Sequence, residues 1–309
     1  MTKYRNLFAT FLLTFSASLY AQNGVYNICD FGALNDTTYL STTAIQKAID
    51  RCSADGGGIV RVPSGAYNTG SIVLRTGVDL HLDNGATLYG STDIKDYTPQ
   101  TTDYISLRTQ TPTVQLIYAD KASHVSISGN GTIDGRGKVF PKLSLNDEGI
   151  TRPHLLRFIQ CSDICISGIT LKNSGCWMQH YLACDRVKIH DITVINRNNY
   201  NNDALDLDGC HEVIVSDMIA DSDDDGTLAI IIAGSFFVAQ KTQAQNLTIR
   251  PSGPIIIMPN YDPTDPFTWT RPTPQTKPDR GPQLKTLNNE DGGRKTVALE
   301  SELRPRNYM

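Results

Sequence analysis

The stretch VKIHDITV, residues 187–194, consists of two short runs of alternating apolar and polar residues that meet at a polar turn. Similar paired runs begin at Val125, Ile164 and Val213. The last three pairs begin 23 and 26 residues apart, at positions 164, 187 and 213. A repeat of about 20 to 30 residues with apolar residues at every second position indicates a solenoid of β-strands. Helical spacing is absent from these runs, so a right-handed parallel β-helix fits best.

Each coil of a β-helix buries its aliphatic side chains inward and stacks on the next coil, so no coil is stable alone. A β-sandwich is the alternative all-β fold, but it would need hairpin turns at shorter and more even intervals. Residues 42–52 differ, because four apolar residues recur there at helical spacing behind Ser and Thr capping residues. They are Ala44, Ile45, Ala48 and Ile49. The sequence therefore predicts an all-β solenoid with a short N-terminal capping helix.

The N-terminus has the pattern of a secretory signal. Lys3 and Arg5 form a short basic start, and residues 7–19 are mostly apolar but too few to span a bilayer. Ala21 ends a plausible cleavage site, which predicts a signal peptide over residues 1–21 and an exported protein, periplasmic or extracellular. A buried N-terminal helix is the alternative.

The composition argues against several classes of function. The chain has 309 residues, a formal net charge of −4 and no basic tract, so we expect no nucleic-acid partner. Its seven cysteines cannot all pair within one chain, and their pairing stays open. Because the cysteine spacing matches no zinc ligand set, we expect neither a metal nor a cofactor.

Carboxylates concentrate in two places between residues 201 and 226. Asp203 lies in the first place, and Asp224 and Asp225 lie in the second, 21 residues after Asp203. If one coil separates the two places, they lie on neighbouring strands about 5 Å apart. Such crowding raises at least one pKa, and a protonated acid beside ionised carboxylates is what glycosidic cleavage requires.

Two other interpretations fit parts of this acidic stretch. Asp-rich turns are common because Asp bonds its own backbone. The motif Asp221-x-Asp223-x-Asp225-Gly226 also imitates the first half of an EF-hand loop. The twelfth position of that loop is Ile232 rather than Glu, and no helices flank it, which argues against the EF-hand.

The order and spacing of several short words resemble the polygalacturonase-type pectinases, glycoside hydrolase family 28. Each word is weak alone, but together they cover about residues 28–226. Asn202-Asp203 stands where the family has its Asn-x-Asp signature, and Asp224-Asp225 matches its paired Asp. The other words are DFGA (30–33), AIQKAID (44–50), GGGIVRVPSG (56–65), GTIDG (131–135) and WMQH (177–180).

This resemblance implies a right-handed β-helix that hydrolyses α-1,4 galacturonide bonds with inversion. It would make Asp224 the general acid, while Asp203 and Asp225 hold and deprotonate the attacking water. Asn202 and His180 would contact the substrate, although a turn hydrogen bond accounts for His180 equally well. The implied partner is a pectin-type polysaccharide, galacturonan or rhamnogalacturonan, bound by a monomer that has no cofactor, nucleic acid or membrane span.

The match to the family stops after Gly226. The family next places a His and then an Arg-x-Lys that grips the substrate carboxylate, and neither follows in this sequence. Residues 227–238 are nearly all apolar, and residues 251–309 hold ten of the 15 prolines. We therefore divide the chain into a signal peptide (1–21), an incomplete β-helix glycosidase domain (22–226) and a partly disordered Pro-rich tail (227–309).

Three explanations of this change stay open, namely a disrupted reading frame, a variant with its own C-terminal end, and a fused unrelated segment. Under the first, the β-helix is truncated at its C-terminal end and the chain is an inactive hydrolase. Two other functions also remain. A Ca²⁺-dependent pectate lyase-like β-helix would suit acidic clusters and release an ultraviolet-absorbing product. A non-catalytic carbohydrate-binding β-helix would show no turnover.

Overall fold

The computed structural model describes residues 24–104, 113–144, 147–208 and 210–222, together with the backbone of three strands between residues 242 and 301. Within these residues the chain forms one α-helix and three parallel sheets, which we call sheets I, II and III. Strands from successive coils pair in register along each sheet. This arrangement confirms the predicted right-handed parallel β-helix.

A coil contributes a strand to each sheet in turn as the chain winds. Sheet I contains β1 (Gly24–Asn27), β2 (Gly58–Val62), β5 (Val78–Leu82), β8 (Ser123–Gly129), β11 (Ser162–Ser167), β14 (Asp185–His190) and β17 (His211–Ser216). Sheet II contains β3 (Gly65–Thr69), β6 (Ala86–Gly90), β9 (Thr132–Asp134), β12 (Thr170–Lys172), β15 (Thr193–Asn196) and β18 (Ile219–Ser222). Sheet III contains β4 (Ile72–Val73), β7 (Gln115–Asp120), β10 (His154–Ile159), β13 (Gln179–Leu182) and β16 (Asp206–Asp208).

Three further strands follow in the chain. β19 (Thr242–Arg250) pairs in parallel with both β17 and β18, while β20 (Lys285–Asn288) and β21 (Lys295–Ser301) pair with each other in antiparallel fashion. The remaining residues of the predicted tail, 227–309, lie outside the described residues, as does the predicted signal peptide. The truncation and the domain division therefore stay predictions.

The core is a set of columns of aliphatic side chains stacked in register. Ile164 pairs with Val187, and Val187 pairs with Val213, so the spacings of 23 and 26 residues are the lengths of two successive coils. All three side chains are buried. Because each coil covers the apolar edge of the one before, burial of these columns holds the stack together.

The helix α1 (Thr42–Ala54) covers the N-terminal end of the sheets through its apolar face. The predicted capping by a side-chain hydroxyl is not found. Ser41 precedes the helix, but its Oγ accepts from the backbone N–H of Leu34 (3.2 Å). Thr42 Oγ1 accepts from the N–H of Gly70 (2.7 Å). These hydroxyls therefore bind the first coils rather than the helix terminus.

The corner between sheets I and II uses one backbone conformation in successive coils. Gly129 and Gly168 have φ of 105° and 74° there, and Asp191 and Asp217 have φ of 56° and 52°. A Cβ atom at Gly129 would lie 2.0 Å from the carbonyl oxygen of Leu82, so position 129 requires glycine. Asp tolerates the left-handed region because its short side chain can bond the local backbone, which accounts for the polar turns between the paired runs.

No helix within the described ranges is both long and apolar enough to cross a bilayer.

Candidate active site

Sheet III presents a row of polar residues on the side that faces away from the core. The register along β7, β10, β13 and β16 defines this outer row as Tyr118, Arg157, His180 and Asp206. Most of their neighbours along each strand belong to the main hydrophobic core, whereas Tyr118 packs in a separate small cluster with Ile159 and Leu182. With about 4.8 Å between strands, the outer row extends over about 14 Å.

Asp203 lies beside the last strand of this row, three residues before the start of β16. The backbone N–H of Met178 donates to the carbonyl oxygen of Asp203 (2.8 Å), which places Asp203 beside Trp177 of the preceding coil. The Trp177 and His180 rings meet edge-on, with 5.1 Å between their centroids. The structure thus brings Asp203, the WMQH word and His180 together at one end of sheet III.

Asp224 and Asp225, the other predicted catalytic residues, lie outside the described residues. β18 ends at Ser222, two residues before Asp224, and pairs in parallel with β15 of the preceding coil. The expected position of these two carboxylates one coil after Asp203 stays a prediction.

Asn202 is completely buried, and its side chain bonds the backbone of two coils. Its Nδ2 donates to the carbonyl oxygens of Ser174 and Cys176, at 3.2 Å each. Its Oδ1 accepts from the backbone N–H of Asn199 (2.6 Å). These bonds fix the turn directly before Asp203, so Asn202 positions the candidate base. Its contact with the substrate stays a prediction.

We expect Asn202→Ala to lower the free energy of unfolding by about 1–3 kcal/mol, because it leaves buried backbone groups without a partner. It should also lower kcat on the substrate, since the turn that carries Asp203 loses its anchor. Urea unfolding and initial rates measure the two effects. Asn130→Ala, at an exposed corner between β8 and β9, is the matched control. Equal effects of the two substitutions would contradict the positioning role.

A buried ion pair that no sequence pattern indicates also stabilises this region. Arg152 is fully buried, and its Nε and Nη2 donate to Oδ1 of Asp147 at 3.0 and 2.8 Å. Its Nη1 donates to the carbonyl oxygens of Gly175 (3.1 Å) and Tyr200. One guanidinium therefore joins three successive coils, and its last contact lies three residues before Asp203.

This ion pair gives the fold a defined acid sensitivity. Burial would raise the pKa of Asp147, but the backbone N–H of Leu143, the Arg152 guanidinium and the N–H of Ser144 together lower it to about 2. Because the pKa is lowered on folding, the contribution to stability is complete above about pH 4 and fades as the pH falls toward 2. We expect the difference in unfolding free energy between wild type and Asp147→Asn to shrink over this range. If urea titrations gave the same difference in unfolding free energy at every pH, the lowered pKa of Asp147 would not be the source of the acid sensitivity.

Two basic residues of β10, His154 and Arg157, also lie at the site, and the sequence analysis did not single them out. The His154 ring lies 5.2 Å from the Trp177 ring and 6.3 Å from the His180 ring between centroids. Burial lowers the pKa of His154 well below its ordinary value, and Arg157 and Arg152 add to the effect. His154 is therefore a neutral imidazole at neutral pH. The sequence signal that could have identified them is the strand HLLRFI, in which these two basic residues interrupt an apolar run.

Neither metal ligation nor disulfides organise the part of the chain that the structure describes. It contains no group of three or more His, Cys, Asp or Glu side chains arranged to hold a metal ion. All seven cysteines are present as unpaired thiols.

Known proteins resemble this chain in sequence and in fold. The family model described as glycosyl hydrolases family 28 matches residues 52–244, which extends past Gly226. A probable polygalacturonase from Vitis vinifera is 31% identical over 210 residues, covering 64% of this chain and 43% of that protein. An exo-poly-alpha-D-galacturonosidase from Dickeya chrysanthemi is 35% identical over 156 residues, covering 48% of this chain and 25% of that protein. The chain thus spans less than half the length of these curated relatives.

Among solved structures, the family 28 exopolygalacturonase of Yersinia enterocolitica superposes with a TM-score of 0.61 at 23% identity. The match covers 72% of this chain and 48% of that one. At this level of identity the likeness establishes the fold.

Proposed function

The chain belongs to glycosyl hydrolases family 28, and from this premise we propose that it is an exported enzyme that hydrolyses α-1,4 galacturonide bonds in a pectin-type polysaccharide with inversion. Residues 1–21 would direct the export. The observation that carries the proposal is the placement of Asp203. Asp203 is 6% exposed, and its carbonyl oxygen accepts from the backbone N–H of Met178, the residue between Trp177 and the start of β13.

In the proposed mechanism Asp203 and Asp225 hold a water molecule and take its proton, while Asp224 protonates the leaving glycosidic oxygen. An inverting hydrolase needs about 6.5–9.5 Å between its acid and base carboxyl groups, so that water fits between them. Carboxylates on neighbouring coils can reach this separation, because strands are about 4.8 Å apart and the side chains add to that distance. The neutral ring of His154 packs against the indole of Trp177, and both side chains are buried.

The proposal is tested on polygalacturonate with the full chain. We expect new reducing ends, no ultraviolet-absorbing unsaturated product, and release of the β-anomer first when the reaction is followed by NMR. An unsaturated product would show that the enzyme is a lyase rather than a hydrolase. Binding of the polysaccharide with no turnover would support the non-catalytic alternative. Release of the α-anomer first would exclude inversion.

A further inference from the structure

Arg157 is a buried cation that forms no close ion pair within the described residues. It occupies the second position of the outer row and is 2% exposed. Within the described residues its Nε has no hydrogen-bond partner, and its guanidinium takes part in no ion pair. Burial lowers its pKa to about 10, which leaves the group charged at neutral pH.

Arg152, the other buried arginine near β10, has the contacts expected of a structural arginine. Arg152 makes two bonds to a carboxylate and two to backbone carbonyls, so each of its nitrogens has an acceptor. Taking a charged group out of water costs several kcal/mol unless geometry and hydrogen bonds compensate. Arg157 has only the longer-range attraction of Asp120 and Asp208 and no such set of hydrogen bonds, so most of the cost of burying its charge is not offset within the described residues.

Two further buried polar atoms, Tyr118 Oη and Asp120 Oδ1, lie on the strand next to Arg157. Tyr118 is its register partner on β7, and the carboxylate of Asp120 interacts with the Tyr118 phenol, but Tyr118 Oη makes no close hydrogen bond among the described residues. The same holds for Oδ1 of Asp120, two residues further along β7. A guanidinium, a phenol and a carboxylate oxygen thus face one patch of sheet III with unused hydrogen-bonding capacity. Arg157 lies about two strand spacings, or about 10 Å, from β16, which begins three residues after Asp203.

We propose that Arg157 and Tyr118 bind the carboxylate of a uronate unit of the polysaccharide, two coils away from the cleavage site. The guanidinium fork matches a planar carboxylate, and the Tyr118 hydroxyl supplies an additional donor to it. Asp120 Oδ1 accepts from a hydroxyl of the same sugar. A neutral sugar would leave the buried charge uncompensated, so this subsite selects acidic units. The inference rests on the proposed function only in taking an acidic polysaccharide as the substrate.

The test compares two ligands on the full chain carrying Asp203→Asn, which should slow cleavage enough for equilibrium binding to be measured. Isothermal titration measures binding of an oligogalacturonate and of the same oligomer with its carboxylates reduced to alcohols. Adding Arg157→Met should weaken oligogalacturonate binding about 10- to 100-fold and leave binding of the reduced oligomer unchanged. Arg157→Lys keeps the charge but lacks the forked pair of donors, so its affinity for oligogalacturonate should lie between that of the parent and that of Arg157→Met. In otherwise wild-type protein, Arg157→Met should raise KM and leave kcat unchanged.

Stability gives a second readout. Arg157→Met removes an uncompensated buried charge, so we expect its Tm to equal or exceed that of the wild type. Arg186→Met is the matched control, because Arg186 pairs with Asp163 on the surface of sheet I. It should change neither ligand preference nor KM.

The outcomes separate this inference from the proposed function. If oligogalacturonate binds and Arg157→Met abolishes the preference for acidic units, the inference holds even when no hydrolysis is seen. If polygalacturonate is hydrolysed but Arg157→Met binds both oligomers as the parent does, the inference falls and the proposed function stands. Failure of the parent protein to bind oligogalacturonate overturns the inference as well. Should Arg157→Met not fold, the ligand preference of Arg157→Lys decides, and an unchanged preference contradicts the proposal.

Discussion

We expect Asp203→Asn to lower kcat on polygalacturonate, the proposed substrate, by about 10²- to 10⁴-fold, the usual contribution of a general base. The amide is nearly isosteric with the carboxylate but cannot take a proton from water. The backbone that fixes the residue is unaffected, since the carbonyl oxygen of Asp203 still accepts from Met178 and Asn202 still holds the turn. We therefore expect the Tm to stay within a few degrees of the wild-type value, so that the loss is chemical. Initial rates and thermal unfolding are measured on the same preparation.

Asp191→Asn is the matched control for this substitution. Asp191 lies at the corner between β14 and β15 with φ of 56°, a conformation that Asn adopts as readily as Asp. The kcat of Asp191→Asn should equal that of the wild type. We expect Asp224→Asn and Asp225→Asn to reduce kcat as strongly as Asp203→Asn does. Substantial activity in any of the three would remove that residue from the catalytic machinery.

The repeat in the sequence predicted the strands of sheets I and II from β8 to β18, but it predicted no strand of sheet III. Strands such as β11 and β15 alternate buried and exposed residues, because one face meets the core and the other meets solvent. In β10 all six residues are buried, so period-two alternation is lost. β16 has only three residues, which is too short for any periodicity. The sheet that carries the site therefore had the weakest sequence signal.

The same limit applies to individual site residues. Asp203 and His180 could be chosen because acidic and aromatic words mark them locally. Arg152 could not, since its acceptors lie at Asp147, Gly175 and Tyr200, up to 48 residues away in the sequence. Arg157 could not be chosen either, because it is distinguished by the absence, among the described residues, of a hydrogen-bond partner for its Nε, which only the structure reveals. Tertiary bonds between coils decide which polar residues are structural, and a linear pattern does not contain them.

Arg152→Met should lower the free energy of unfolding by about 3–5 kcal/mol, the usual cost of removing one partner from a buried ion pair. The substitution leaves Asp147 charged and buried, and it leaves the carbonyl oxygens of Gly175 and Tyr200 without their donor. Methionine is apolar and flexible, so loss of packing is kept small. Urea unfolding of wild type and variant measures the difference. Activity should fall too, because the Tyr200 contact helps to hold the turn before Asp203.

The double variant Arg152→Met/Asp147→Leu separates the ion pair from the other contacts of Arg152. Removing both charges avoids an unpaired buried carboxylate, so we expect it to be more stable than Arg152→Met alone. The recovery should be partial, because Asp147 also accepts from Thr151 Oγ1 (3.1 Å) and the two carbonyl oxygens stay without a donor. If Arg152→Met unfolded with the same free energy as the wild type, the clamp between coils would not contribute to stability. The coil stack would then be held together by its aliphatic columns alone.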